Sequence, residues 1–537
     1  MEVSSEITLS SESSLWTRRT LWLLGGLLLW RIAYLALCPM DLVHDESYYW
    51  DWSRQLDYGY YSKPPMIAWA IGASTAVLGD TPFGVRFPAV LLGTLGLGFI
   101  FLLARRMYDA QTAFWATTLA ALTPGNGAMA LIMTIDAPFL FFWCGALYTF
   151  WRMLERDHLR PWWLLATLLL IGLGLLSKQT MLGLLVFGGL FVISSKEDRH
   201  EVLRPGLWLT AVGGLLFLLP VLLWNWQHDW ITLQHTSEHF QRESGSWLRQ
   251  VVVSLEFFGG LFGVVSPVTF FLYLVVGLAC CASLTKLDRR AKYLVLLSIV
   301  PLLLVGVLSL KQRIELNWPA PFFPAGIILV SAWAMGHLPV SIPLISPREF
   351  RLKHAALVSL IFLLATYALP LATGPLNLAG GTMDPIVRLR GWHALGQATG
   401  AEIAKHRTPS QAEPLLIVAA GREIASELAF YLPDQPRLYL WSGNRVPHSQ
   451  YDIWGGPEGD HQGREAILIT RLDQPPPPPL QAAFYQVERL TDIHIPVGHH
   501  GREHAITLWR GVRFQGWPEV EAKPTTQLAR PEIGRRR

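Results

Sequence analysis

Residues 20–52 read TLWLLGGLLLWRIAYLALCPMDLVHDESYYWDW. An apolar run long enough to cross a bilayer ends, and within a few residues come two adjacent acids, Asp45 and Glu46, then a dense group of aromatics. No small-residue cleavage site follows the run and many similar runs come after it. It therefore reads as a retained membrane helix and not a leader.

The rest of the chain supports that reading. Of 537 residues, 51% are hydrophobic and 16% charged, and mean hydropathy is +0.31. A soluble domain carries about 25% charge. Apolar blocks lie near 20–38, 83–104, 111–123, 129–151, 161–177, 181–194, 205–224, 251–280, 291–309, 318–336 and 354–372. The blocks are continuous and not alternating, which excludes a membrane β-barrel. The sequence thus predicts a polytopic α-helical membrane protein with about 11–13 spans.

The net charge of +4 says little, but its placement is informative. Arg18/Arg19, Arg105/Arg106, Arg152/Arg156/Arg160, Lys196/Arg199/Arg204, Lys286/Arg289/Arg290/Lys292 and Arg348/Arg351/Lys353 fall in alternate loops. The positive-inside rule puts those loops and the N-terminus in the cytoplasm. Loops 39–82, 178–180, 225–250 and 310–317, and everything after about 373, are then expected outside. Residues 1–17 are Ser/Glu-rich and expected to be disordered. Residues 18–372 form the expected membrane domain. Residues 373–537 form an expected external α/β domain, with strands at 413–420, 436–441 and 465–470 and a helix over 421–432. Pro475–Pro479 reads as a stiff spacer. The four cysteines suggest neither a disulfide framework nor a metal motif.

The polar chemistry gathers on the predicted outer side. Loop 39–82 carries Asp45, Glu46 and Lys63 among Tyr48, Tyr49, Trp50, Trp52, Tyr58, Tyr60 and Tyr61. Anchoring of one or two interfacial helices accounts for the aromatics. Capping of such a helix competes with a chemical role for Asp45 and Glu46. Asp136 sits in an apolar stretch, where an ionisable group is costly and therefore a functional candidate. Lys178 stands at a helix end, where snorkelling is an adequate alternative. His235, Glu238 and His239 have helical spacing for a metal, but the order is not HExxH and the signal is weak. Lys311, Arg313, Glu315 and Asn317 precede the Pro-broken start of the next span. Carboxylates and cations on one face of an apolar protein fit a membrane-embedded anionic leaving group and a hydroxyl to deprotonate. A carrier of lipid-linked sugars, the rival reading, needs such groups spread through paired helices.

The segments DESYYWDWSRQLDYGYYSKPPMIAW, GVRFPAV, TIDAPFL, GLLSKQT and KQRIELNWPAP resemble those of the C-type glycosyltransferases, within the protein O-mannosyltransferase and lipid A aminoarabinose transferase superfamily. The resemblance covers most of residues 20–330. It implies the C-type glycosyltransferase fold, a polyprenyl-phosphate-linked sugar donor, an active site on the periplasmic face of a bacterial inner membrane, and inversion at the anomeric carbon. The acceptor is a lipid such as lipid A, another glycan or a protein. Membrane lipids surround the chain and no nucleic acid is expected. Asp45 matches the family's catalytic acid, Glu46 is its neighbour and Asp136 the second acidic position. Lys63 matches the lysine holding the lipid phosphate, with Arg242, Lys311 and Arg313 as further phosphate contacts. Tyr48, Tyr61, Arg86, Lys178, Glu315 and Asn317 are candidate substrate contacts. Aminoarabinose transferases have Glu-Lys-Pro where this chain has Ser62-Lys63-Pro64, and that Glu is a zinc ligand. A divalent metal is therefore only weakly supported, and no other cofactor is expected.

Overall fold

The computed structural model describes residues 2–38, 40–155, 157–158, 160–238, 247–343, 345–406, 415–444, 446–457 and 459–518, with side chains from residue 12 onward except at 460. Two compact units result, residues 1–390 with 497–502, and residues 391–496 with 503–537.

The first unit is helical. Its helices are α1 (Glu2–Leu37), α2 (His44–Ser53), α3 (Met66–Leu78), α4 (Pro82–Met107), α5 (Ala110–Leu122), α6 (Pro124–Met129), α7 (Asp136–Glu155), α8 (Arg160–Leu175), α9 (Leu182–Ser194), α10 (Pro205–Leu216), α11 (Leu219–Gln227), α12 (Ile231–Glu238), α13 (Trp247–Val265), α14 (Pro267–Ala282), α15 (Arg289–Leu296), α16 (Ile299–Ser309), α17 (Phe323–Ala334) and α18 (Glu349–Ala372). By length and composition, six segments among the described residues can each cross a membrane: Glu12–Leu37, Pro82–Met107, Pro205–Gln227, Trp247–Val265, Arg289–Ser309 and Glu349–Ala372. The core is contributed mainly by α4, α5, α7, α14, α15 and α17. Residues 2–17, expected to be disordered, instead continue α1 toward its N-terminus, since Ser and Glu are tolerated in a helix that the apolar run already nucleates.

Prolines set several boundaries that differ from expectation. The single span expected over 251–280 is two helices, broken at Ser266 (φ 80°) before Pro267. Proline disfavours the helical region for the residue before it. The span expected over 129–151 starts only at Asp136, because Pro124 opens the short α6 and a non-helical turn follows. The boundary between the units falls at 390/391. Residues 373–390 bond back to the helical unit, where Leu389 O accepts from Asp41 N, and are braced internally by Asp384 with Arg390 at 3.0 Å.

The second unit is α/β. Helices α19 (Trp392–His406) and α20 (Arg422–Tyr431) accompany a sheet of order β2-β1-β3-β5-β4, formed by β1 (Leu416–Ala419), β2 (Tyr439–Leu440), β3 (Ala466–Arg471), β4 (Phe484–Pro496) and β5 (Glu503–Phe514). Strands β2, β1 and β3 run parallel, and they are the three the sequence predicted. The β4–β5 hairpin was not predicted, because β4 is a largely solvent-facing strand carrying Glu488, Arg489 and Asp492 and lacks a clean apolar alternation. The proline run ends in a one-turn helix opened by Pro478, at a position where the missing N–H costs nothing.

Candidate active site

The site is built where α2, the loop after it and the ends of α4, α7 and α8 meet. Helix α2 begins after Val43, and Glu46 caps it by accepting from Val43 N at 3.1 Å. The same carboxylate takes two bonds from Arg86 of α4, Nε to Oε1 at 2.9 Å and Nη2 to Oε2 at 2.6 Å. Met133 N adds a fourth bond at 2.8 Å. Arg86 also donates to Met40 O at 2.9 Å and Asp41 O at 2.7 Å. Glu46 is 0% and Arg86 1% exposed. A buried carboxylate needs this degree of satisfaction. The pair therefore locks α2, α4 and the 131–135 turn together and offers no open face to a substrate. Asp45 is different: its side chain is 47% exposed, and His44 Nε2 lies 3.7 Å away.

Asp136 opens α7 and is buried. Lys178 Nζ donates to its Oδ1 at 2.8 Å and Asn317 Nδ2 to its Oδ2 at 2.7 Å. Lys178 keeps 12% side-chain exposure and stands 5.7 Å from the Phe139 ring centre. Snorkelling alone does not describe it, since its ammonium is paired.

Lys63 lies in the loop between α2 and α3, partly exposed. Tyr60 N donates to Lys63 O at 3.2 Å. The loop is pinned by Trp224 Nε1 to Asp57 Oδ2 (2.8 Å), Trp69 Nε1 to Asp57 O (3.1 Å) and Thr232 Oγ1 to Tyr60 O (3.0 Å). Only glycine fits at 59, because a Cβ there would meet the Trp224 ring at 2.8 Å. Met66 N donates to Leu176 O, two residues from Lys178. Direct bonds thus link Glu46 to Met133, Asp136 to Lys178 and Asn317, and the Lys63 loop to the end of α8. Of the expected site residues, Asp136, Lys178 and Asn317 are in direct contact.

Other expected contacts are either packed into the protein or exposed. Tyr48 is 1% exposed and packs edge-on to Trp52 at 4.8 Å. Tyr61 is buried, with its hydroxyl 3.3 Å from His235 Nδ1. Trp50, Trp52 and Tyr60 are likewise buried, so most of the loop's aromatics pack inward and do not lie along a membrane surface. Lys311, Arg313 and Glu315 are exposed, and Arg313 and Glu315 lie 3.8 Å apart. From that segment only Asn317 bonds to the acid cluster. Arg242 and His239 lie outside the described residues. Among the described residues no group of three His, Cys, Asp or Glu side chains is placed to hold a metal. With Ser62 in the place of the glutamate ligand, the donor set does not fit the family's zinc.

Sequence reasoning missed Tyr60. Its phenol accepts from Asp57 N (3.0 Å) and reaches Trp52 O (3.2 Å) and Gln55 O (3.1 Å), and its ring stacks on Trp52 at 4.5 Å and 8°. Burial raises its pKa. The tyrosine-rich run was the available signal, but it did not separate a core tyrosine from an interfacial one.

A family model described as dolichyl-phosphate-mannose-protein mannosyltransferase matches residues 62–224. The chain is 30% identical over 461 residues to a lipid A galacturonosyltransferase of Rhizobium johnstonii, which covers 84% of this chain and 90% of the relative. It is 32% identical over 170 residues, 30% of each chain, to an undecaprenyl phosphate-alpha-4-amino-4-deoxy-L-arabinose arabinosyl transferase of Pseudomonas aeruginosa. Its fold is similar to that of ArnT from Cupriavidus metallidurans in the apo state, with a TM-score of 0.59, 17% identity, and coverage of 92% of this chain and 98% of that one. The expected helical membrane architecture and the expected resemblance both agree with these matches.

Proposed function

Since the chain belongs to the membrane glycosyltransferases of the C-type superfamily, in the family of the lipid A galacturonosyltransferase and aminoarabinose transferase, we propose that it transfers a sugar from a polyprenyl phosphate to lipid A at the periplasmic face of a bacterial inner membrane. Support for the donor comes from the related fold of ArnT, which has also been crystallised bound to undecaprenyl phosphate. Support for galacturonic acid as the sugar comes from the extent of the match. The galacturonosyltransferase is matched over 90% of its length, the arabinosyl transferase over 30%. Ser62, where the latter enzymes carry a glutamate, points the same way. The charge pattern of the loops supports an N-terminus in the cytoplasm and residues 391–496 in the periplasm.

The observation that carries the mechanism is the contrast between two neighbouring acids. Glu46 is spent on Arg86, Val43 and Met133, while Asp45 is half-exposed. Asp45 acts as the general base. It takes the proton from an acceptor hydroxyl as that oxygen bonds to the anomeric carbon. The bond from that carbon to the phosphate oxygen breaks on the opposite face, and the phosphate departs with the electron pair. Lys63 offsets the charge gained by the phosphate, and Lys178, oriented by Asp136 and Asn317, faces the same region. Glu46 and Arg86 take part by positioning and not by contact.

The test is transfer by the full-length protein in membranes, supplied with lipid A and either polyprenyl-phosphate galacturonic acid or polyprenyl-phosphate aminoarabinose. The reading predicts lipid A heavier by one hexuronic acid residue with the first donor alone. Gain only from aminoarabinose, or no gain from either, contradicts it.

A further inference from the structure

Arg31 lies within the apolar run of α1 and is 0% exposed. Its Nη1 donates to Thr94 Oγ1 at 3.3 Å and its Nη2 to Asn126 Oδ1 at 2.5 Å. Its Nε–H has no hydrogen-bond partner. Among the described residues no carboxylate pairs with it, and the titratable group beside it is the Tyr367 phenol. A guanidinium within a membrane helix is costly, and such groups normally pair.

Arg31 does not itself line a cavity, but the amide it holds does. A space of about 270 Å³ lies between α4, α6, α7 and α17. Asn126, the residue that Arg31 holds, is on its wall, as are Gly93, Leu97, Phe141 and Leu316, the last of these exposed. A Cβ built on Gly93 would stand 3.8 Å from Arg31 Nη1, so position 93 lies on the cavity wall next to the guanidinium. Arg31 occupies the Asn126 carbonyl oxygen. The remaining polar group of that amide is its Nδ2, a donor polarised by the cation behind it. Positive potential on an apolar wall is complementary to an anionic head carried on a hydrocarbon chain.

We propose that this cavity holds the phosphate head of an anionic phospholipid, with Asn126 as the direct donor and Arg31 as the charge behind it. The occupant is a phospholipid and not the sugar donor, because the donor's phosphate is placed at Lys63 in the mechanism above and the membrane supplies anionic phospholipid continuously. To that extent the assignment rests on the proposed function. A bound head also bears on the reaction region. Asn126 belongs to α6, and the turn after α6 delivers Met133 to Glu46 and Asp136 to Lys178. Asn317, the other partner of Asp136, lines the same cavity.

The test uses full-length protein, delipidated in detergent and titrated with phosphatidylglycerol, phosphatidylcholine or undecaprenyl phosphate under native mass spectrometry. Binding is the readout, so the result does not depend on whether the proposed transfer occurs. Wild type is expected to retain one phosphatidylglycerol at least tenfold more tightly than phosphatidylcholine. Arg31→Gln keeps hydrogen-bond donors for Asn126 and removes the charge, and it should abolish that preference. Gly93→Leu fills the cavity and leaves Arg31 in place, and it should have the same effect even where Arg31→Gln fails to fold. A preference unchanged in Gly93→Leu overturns the proposal. So does retention of undecaprenyl phosphate alone, which would make the cavity a carrier site.

Discussion

Glu46 and Arg86 form a two-pronged ion pair, at 2.9 and 2.6 Å, in which neither side chain exceeds 1% exposure. Beside it, Asp45 leaves nearly half its surface open. Adjacent acids on one helix thus have opposite fates. One faces the protein and holds three segments in register. The other keeps nearly half of its side-chain surface exposed.

The pair gives the first prediction. Glu46→Ala strands a buried guanidinium, and Arg86→Leu strands a buried carboxylate. Breaking a buried pair from one side costs roughly 3–5 kcal/mol. Both variants should unfold at markedly lower temperature in detergent, with activity lost along with the fold. A Glu46→Ala protein of normal thermal stability and no activity would instead assign Glu46 to chemistry.

Asp136 and Lys178 give the second. Their 2.8 Å contact is reinforced by Asn317, so the two residues act as a unit. Asp136→Asn and Lys178→Met should each lower turnover, and the double variant should lose little more than either alone. A coupling energy of about 1–3 kcal/mol in the double-mutant cycle is expected. Additive losses would separate their roles.

The third concerns alkaline pH. Burial holds the Tyr60 phenol above its ordinary pKa of 10.0, so the folded state favours the neutral form. Its stabilisation is complete below pH 10 and is lost as pH rises above it, because the unfolded chain releases that proton first. Trp52 stacks on Tyr60 and should report the loosening of the loop by fluorescence. Tyr60→Phe removes the titration, at a cost of about 1–3 kcal/mol for the unsatisfied groups around it. An identical alkaline transition in Tyr60→Phe would assign it to another group.

Much of this was legible beforehand. Continuous apolar blocks revealed the helical membrane unit, and short apolar runs the three parallel strands. Asp136 and Lys178 stood out as ionisable residues at the ends of apolar stretches, and the fold joins them. What composition hides is pairing. Asp45 and Glu46 have the same neighbours in sequence, and only the approach of Arg86, 40 positions on, separates them. Arg31 disappears in the hydropathy average of its run. The break at Ser266 was announced by Pro267, but the apolar residues on both sides mask it. Lys311 and Arg313 are exposed, and within their segment it is the neutral Asn317 that bonds Asp136, a contact that charge alone does not announce.

The most direct measurement is the turnover of Asp45→Asn, assayed with polyprenyl-phosphate galacturonic acid and lipid A alongside undecaprenyl phosphate binding. The account predicts turnover lower by about 10²–10⁴-fold, with thermal stability and lipid-phosphate binding as in wild type. Wild-type turnover in Asp45→Asn would contradict it.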